Sequence, residues 1–350
     1  MPASESTAAS AEPKATKKGT AKTETKAAAK PRKKKNAIET VIFFGTPEFA
    51  VPTLDALAES GRTPVLIVSQ PSRPAGRGQE EQAPAVAEWA ASHGVELAQP
   101  ESVKDEAFLA RIAKLKPDVA VVVAFGQIFP RELLVLPKHG CVNLHASLLP
   151  KYRGASPIQA TLVAGEKKTG VTAMRMEEEL DSGSILHQEE TKIRSWESAG
   201  ELTDRLSKLG AGVIVETLDL LAAGKVKERK QREESASYAG RIDKANGRVN
   251  WALESDEIYN RLRAYTPWPG MTTHFHGRPV KIVWGVPMTW ENAPIGVTGT
   301  YLGLRQGRIA VLCGNNTIFG IEEMQRAGKK KVRASDFVNG ERLRVGDSFA

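Results

Sequence analysis

Asn143 and His145 stand two residues apart in Val142-Asn143-Leu144-His145, a short stretch of strand character. Residues two apart on a strand share a face, so a carboxamide and an imidazole project together, and both can donate hydrogen bonds. The stretch runs out into Ser147-Leu148-Leu149-Pro150-Lys151-Tyr152-Arg153-Gly154, a Pro- and Gly-containing loop of the kind that carries ligand sites at the edge of an open α/β sheet. Further on, Glu177-Glu178-Glu179-Leu180-Asp181-Ser182-Gly183 brings four acids into a glycine turn. The glutamates read as a solvated face. Asp181, at the turn itself, can be held inward, where a carboxylate would orient His145 and sustain its charge. Hydrogen-bond donation and proton handling are the chemistry this trio offers. Its members equally suit a structural network, with Asp181 as a plain turn residue, and their types and spacing leave both readings open.

The elements that would position them follow from the apolar pattern. Thr40-Val41-Ile42-Phe43-Phe44-Gly45, Pro64 to Ser69 and Asp118 to Ala124 are strand-length and β-prone, with further strands at Val142–His145 and Val171–Met176. Between them Thr46-Pro47-Glu48 marks a helix start, with Thr46 able to cap, and Phe108 to Leu115 is helical. Continuous apolar strands alternating with helices predict a doubly wound, mostly parallel, Rossmann-like α/β sheet. Its first turn, Gly45-Thr46-Pro47-Glu48-Phe49-Ala50, has neither a GxGxxG run nor a GxxxxGK[ST] loop, which argues against dinucleotide or ATP use. Ser198 and Glu201 form a capping box ahead of a helix through Leu202, Leu206, Leu209, Val213 and Leu220 that ends near Gly224. After Trp251 the texture changes to short β-like runs broken by Pro, Gly and Asn, with one helical patch near Ile258 to Tyr265, which predicts a small β-barrel.

The 350 residues therefore divide into a tail at 1–37, an α/β domain at 38–224, a linker at 225–244 and a β domain at 245–350. Residues 1–36 hold ten Lys and Arg against three Glu and no Phe, Trp, Tyr, Ile, Leu or Val, so the tail is read as disordered and solvated rather than as a targeting peptide. Residues 246–350 hold fourteen Lys and Arg against nine Asp and Glu, which leaves the middle net acidic within an overall charge of +8. Basic ends around an acidic core suggest attraction of a polyanion. Two cysteines, Cys141 and Cys313, exclude a disulfide framework or a cysteine-rich zinc site and fit a reducing cytoplasm. No run approaches the ~18 apolar residues a membrane helix needs.

Taken in order, Phe44-Gly45-Thr46-Pro47-Glu48-Phe49-Ala50, Arg73-Pro74-Ala75-Gly76-Arg77-Gly78, Asn143 to Pro150, Tyr152-Arg153-Gly154-Ala155-Ser156-Pro157-Ile158-Gln159 and Asp181-Ser182-Gly183 resemble the methionyl-tRNA formyltransferase family. Arg263-Ala264-Tyr265-Thr266-Pro267-Trp268-Pro269-Gly270 is similar to that family's C-terminal signature. The likeness spans about residues 38 to 345 and omits only the tail.

The resemblance implies a formyltransferase-type sheet followed by an OB-like barrel, and transfer of the formyl group of 10-formyltetrahydrofolate to the α-amine of methionine on initiator tRNA. On that reading Asn143 and a protonated His145 donate to the formyl oxygen, and Asp181 sustains the imidazolium and relays a proton. Ser147, Leu148, Leu149 and Pro150 line the folate site with backbone near Gly126, Gln127 and Ile128, and no metal is involved. A folate-dependent transferase acting on a sugar amine or other small amine is the rival. Arg77 is expected at the acceptor end of the tRNA, although Gln79-Glu80-Glu81-Gln82 follows where the family carries basic residues. Lys281, Lys329, Lys330 and Lys331, with Arg248, Arg261, Arg263 and Arg333, would form the polyanion surface, and Trp268 is expected to pack with Pro267 and Pro269. A cytoplasmic monomer without membrane attachment completes the expectation.

Overall fold

Alternation along the central strands decides how this chain folds. Val41 and Phe43 of strand β1 (Val41–Gly45) point to one core, while Ile42 and Phe44 point to the other. All four are fully buried, so neither face of the strand can meet water. The computed structural model describes residues 37–75 and 80–350; residues 1–36 and Arg77 lie outside the described residues. In it, β1 is flanked by β2 (Leu66–Val68), β3 (Leu97–Ala98), β4 (Val119–Val123), β5 (Cys141–His145), β6 (Lys168–Arg175) and β7 (Ile185–Lys192), in the order β7-β6-β5-β4-β1-β2-β3. Pairing is parallel from β5 through β3, and β6 runs antiparallel to both β5 and β7. The mostly parallel α/β sheet predicted from the sequence is present.

Helices, α2 (Ala85–His93) and α5 (Pro157–Val163) among them, cover both faces, as a sheet of this kind requires. Leu54 and Leu57 of α1 (Val51–Glu59) and Leu202, Leu206 and Val213 of α6 (Ala199–Ala222) share a core with Phe43 and Val121. Phe108 and Ile112 of α3 (Glu106–Leu115) and Leu133 of α4 (Arg131–Val135) share the other with Phe44 and Val122. Truncating Phe43 or Phe44 to Ala would cost about 3–5 kcal/mol. The Ser198–Glu201 capping box forms as predicted. Thr46 does not cap a helix: its hydroxyl donates to the Phe125 carbonyl (3.3 Å) and accepts from the Gln70 N–H (3.4 Å), tying the ends of β1, β2 and β4 together.

The C-terminal half is an antiparallel sheet of β8 (Met271–Phe275), β9 (Arg278–Met288), β10 (Tyr301–Arg305), β11 (Arg308–Leu312), β12 (Ile318–Arg326) and β13 (Lys331–Arg333). Its order is β8-β9-β12-β11-β10, with β13 on β12. That order leaves β8 and β10 as edges, and the last residues close them: Ala350 exchanges two hydrogen bonds with His274, Phe349 N–H reaches Gly299 and Tyr301 N–H reaches Asp347. Two helices, α7 (Ser255–Ala264) and α8 (Ala334–Glu341), pack on the sheet, the second without the sequence signal that marked the first. The two halves are joined tightly. Tyr259 Oη donates to the Ser195 carbonyl, Gly200 N–H to Thr266, and the buried Arg263 guanidinium to the Glu197 carbonyl. Among the described residues no helix is long and apolar enough to cross a membrane.

Candidate active site

On β5, Val142 and Leu144 enter the core under α6, so Cys141, Asn143 and His145 face the α3/α4 side. His145 is buried, and its Nε2 lies 2.8 Å from the Tyr152 carbonyl oxygen. A carbonyl only accepts, so Nε2 carries the hydrogen and Nδ1 is the edge left for chemistry. Nδ1 faces Asp181 Oδ2 at 3.6 Å, too long for a direct hydrogen bond and close enough for charge to be felt. Asp181 adopts φ +50° at its turn, and the same Oδ2 accepts the Gly154 N–H at 2.8 Å. Asp181 is thus both a turn residue and the partner of the histidine. Asn143, half-buried two residues before His145, gives its carboxamide no hydrogen-bond partner among the described residues.

The residues expected to line a cofactor divide by role. Ser147 is fully buried and spends its hydroxyl on the Lys151 carbonyl (2.6 Å). Thr172 Oγ1 donates to Ser147 O (2.6 Å) and accepts from Leu149 N–H (3.2 Å) and Gln188 Nε2 (2.8 Å), which locks the loop onto β6 and β7. Leu149 packs on Met174 and Ile185, leaving Leu148 and Pro150 half-exposed. Gln127 uses its side chain to accept from Val103 N–H (3.0 Å), so Gly126, Gln127 and Ile128 can meet a ligand through backbone and through the Ile128 side chain, which is 75% exposed. A cavity of about 620 Å³ is lined by Leu134, Val135 and Met176 together with the charged Arg131, Arg175 and Glu177 to Glu179. It lies between α4 and the segment that leads into Asp181. Among the described residues no cluster of three His, Cys, Asp or Glu side chains could hold a metal ion.

Residues 225–244, expected to be a connecting segment, instead form the outer wall of the site. Arg229 N–H and C=O both bond Ile185 (2.9 Å each), and the Tyr238–Ala239 bridge runs parallel to Arg153–Gly154. Ser237 Oγ accepts from Tyr152 N–H (2.9 Å). Arg153, 2% exposed, makes a two-pronged contact with Glu233 (2.9 and 2.7 Å) and gives Nε–H to Gln231 Oε1 (3.1 Å). Glu233 raises the guanidinium's already high pKa further. Gln231, Glu233 and Ser237 carry no local sequence signal, since their partners lie 80 or so residues away.

The expected cationic residues do not all reach the surface. Arg263 is buried, held by Asn260 Oδ1 (2.6 Å) and the Glu197 carbonyl (3.3 Å), and burial lowers its pKa; it joins the two halves rather than forming a polyanion surface. Trp268 is 53% exposed instead of packed away. Strand register places Arg248, Thr272, Lys281, Gln325 and Lys331 in one row across the sheet. Directly paired residues share a face, so three cations line up there, with the exposed Lys329 and Lys330 beside them. Lys331 is partly neutralised by Glu323 at 3.0 Å.

Inside a doubly wound sheet, one strand thus presents a carboxamide unpartnered among the described residues beside a histidine–aspartate pair, groups able to donate to a developing oxyanion and to move a proton, as a group transferase needs. Comparison with known families gives the class. Residues 39–218 match the formyl transferase model and residues 241–342 the formyl transferase C-terminal domain, and the chain belongs to the formyl transferase family. Among curated relatives it is 44% identical over 306 residues to the methionyl-tRNA formyltransferase of Geobacter metallireducens, covering 87% of this chain and 97% of that one. It is 40% identical over 312 residues to that of Bacillus subtilis, covering 88% and 96%. Among solved structures it shares its fold with the N-formyltransferase from Helicobacter canadensis in complex with folinic acid and dTDP-3-aminofucose. That match has a TM-score of 0.61 and 17% identity over 81% of this chain and 98% of that one.

Proposed function

We propose that this chain formylates methionine on initiator tRNA, with 10-formyltetrahydrofolate as the one-carbon donor, and so acts in translation initiation. The observation that carries the reading is the Asn143 carboxamide, without a protein partner among the described residues, on the same strand face as the His145–Asp181 pair. The curated methionyl-tRNA formyltransferases at 40–44% identity support the acceptor. When bound, the folate supplies an activated formyl group. The exposed Ile128 side chain suits its ring system, and backbone at Gly126 to Ile128 suits its polar edge.

The work of this chain's residues then follows from where their hydrogens point. As the α-amine attacks, its new bond to the formyl carbon replaces the bond to the donor nitrogen, which departs with a proton; charge gathers meanwhile on the formyl oxygen, and Asn143 donates to it. Because Nε2–H stays on Tyr152, the second donor is Nδ1–H of the doubly protonated His145. Asp181, 3.6 Å away, balances that charge and accepts, through water, the proton the amine gives up. The Arg248–Lys281–Lys331 row, with Lys329 and Lys330, offers a sequence-independent phosphate surface, and Arg77 is assigned to the acceptor end.

The deciding assay offers the purified protein formyl donor with charged initiator tRNA, free methionine and a nucleotide-linked amino sugar in parallel. Formylation of the tRNA in large excess over the others is expected. Preference for the sugar amine would overturn the acceptor assignment, and no turnover on any of them would overturn the enzyme itself.

A further inference from the structure

The catalytic pair is held by a closed circuit that runs through the segment joining the two halves of the chain. His145 is oriented by the carbonyl of Tyr152, and Asp181 by the N–H of Gly154, so both depend on where the intervening residue, Arg153, sits. Arg153 is fully buried and is not itself part of the pair. Its guanidinium is pinned by Gln231 and Glu233. Gln231 then turns its amide the other way: Nε2–H donates to the Asp181 carbonyl at 2.7 Å and to the Gly183 carbonyl at 2.8 Å. One side chain therefore fixes both the loop that orients the histidine and the turn that carries the aspartate, and every polar atom of its amide is used.

We infer that Gln231 is a positioning residue for formyl transfer, setting the His145–Asp181 separation from the joining segment. This rests on the function proposed above. A 3.6 Å gap between Nδ1 and Oδ2 is sensitive to small displacements, because a group placed about 1 Å off its working position can cost about 10²-fold in rate. Gln231 touches neither the cavity nor the cationic row, so its loss acts on the chemical step and not on substrate binding. Its backbone lies two residues from Arg229, which pairs with Ile185 of β7, so the segment stays docked when the amide is changed.

The informative variant is Gln231→Glu. It keeps an acceptor for Arg153 and nearly the same volume, but sets a carboxylate oxygen against two carbonyls. Its companion Gln231→Met keeps the volume and removes the amide, while Glu233→Gln retains a hydrogen bond to Arg153. In the full-length enzyme with charged tRNA and formyl donor, Gln231→Glu and Gln231→Met are expected to lower kcat about 10- to 100-fold. KM for both substrates should stay within about twofold, and the limb of the kcat–pH profile that reports the histidine should be displaced. Glu233→Gln, which removes the charge facing Arg153 but leaves the Gln231 amide on both the loop and the turn, is expected to lower kcat less than either Gln231 variant. Parental kcat with an unmoved pH profile in both Gln231 variants overturns the inference, as does a loss that appears equally in KM and melting temperature. Inactive parental enzyme would instead overturn the proposed function, so the two failures are told apart by the unmodified control.

Discussion

The backbone N–H of Gly154 meets Asp181 Oδ2 at 2.8 Å across 27 residues of chain, on the same oxygen that faces His145. An asparagine in that place would still offer an oxygen to Gly154 and would lose only the charge. Asp181→Asn is accordingly expected to fold with a melting temperature close to the parent while kcat drops about 10²-fold, the scale of a lost proton-handling group. Equal activity of the two proteins under single-turnover conditions would remove the carboxylate's charge from the mechanism.

Among the described residues the Asn143 carboxamide is the one side chain of the trio with no protein partner, so its removal strands none of their polar groups. Asn143→Ala should lower kcat by roughly 10²- to 10³-fold, as loss of an oxyanion donor does, and leave tRNA affinity nearly unchanged. Stopped-flow formylation together with filter binding of charged tRNA separates the two. If both Asn143→Ala and His145→Ala stay within about threefold of parental single-turnover rates, the donor assignment fails.

The sheet and the common face of Asn143 and His145 were readable from the chain because they are local: β5 is five residues long, and a two-residue spacing fixes one face, whereas Asp181, far along the chain, reads equally as a turn residue. The central strands betray themselves in the same way, by apolar runs that only a sheet covered on both sides can bury. The joining segment was not readable. Nothing in Lys230-Gln231-Arg232-Glu233 announces a buried partner, and a charged, bulky-apolar-poor run reads as a linker until Arg153 is seen beneath it. Arg263 misled for a related reason, since a guanidinium that hydrogen-bonds carbonyls across two halves of a protein has the same letter as one that waits for phosphate.

Gly154 is held at φ +114°, and a Cβ there would stand 2.6 Å from the Ala239 carbonyl oxygen. Gly154→Ala must therefore either strain the backbone by about 1–3 kcal/mol or push the Tyr238–Ala239 bridge away. The expected result is a lowered melting temperature together with reduced kcat, since the same residue's N–H orients Asp181. A stable, fully active Gly154→Ala protein would contradict the coupling of the joining segment to the site.

Lys281 and Lys331 stand one strand apart on either side of Gln325, but only Lys331 is offset by Glu323. If the row meets phosphates, Lys281→Ala should weaken charged-tRNA binding and reduce the slope of log affinity against log salt by about one. Glu323→Gln, which frees Lys331, should tighten binding at low salt. Titrations between about 50 and 200 mM salt measure both. An affinity indifferent to salt would show that this face takes no part.

Glu166 gives the pH dependence a definite sign. The Lys151 ammonium, 2.9 Å away, and the Tyr152 hydroxyl, also 2.9 Å away, hold its carboxyl below the ordinary value of 4.5. Burial first, and the Glu166 bond second, push the Tyr152 phenol up to about 12. A carboxyl with a depressed folded-state pKa contributes stability that is complete above its unfolded value and is lost as pH falls through the folded one. A phenol with a raised pKa contributes stability that is complete below 10 and fades as pH climbs toward 12. Glu166→Gln keeps an acceptor for Tyr152 and removes the charge that Lys151 meets. Urea unfolding should therefore find the variant weaker than the parent at pH 7, and the gap should close as the medium is acidified below 4.5. A gap that is constant with pH, or that widens toward acid, would mean that Glu166 is not ionised against Lys151 and that the loop carrying the Tyr152 carbonyl is held some other way.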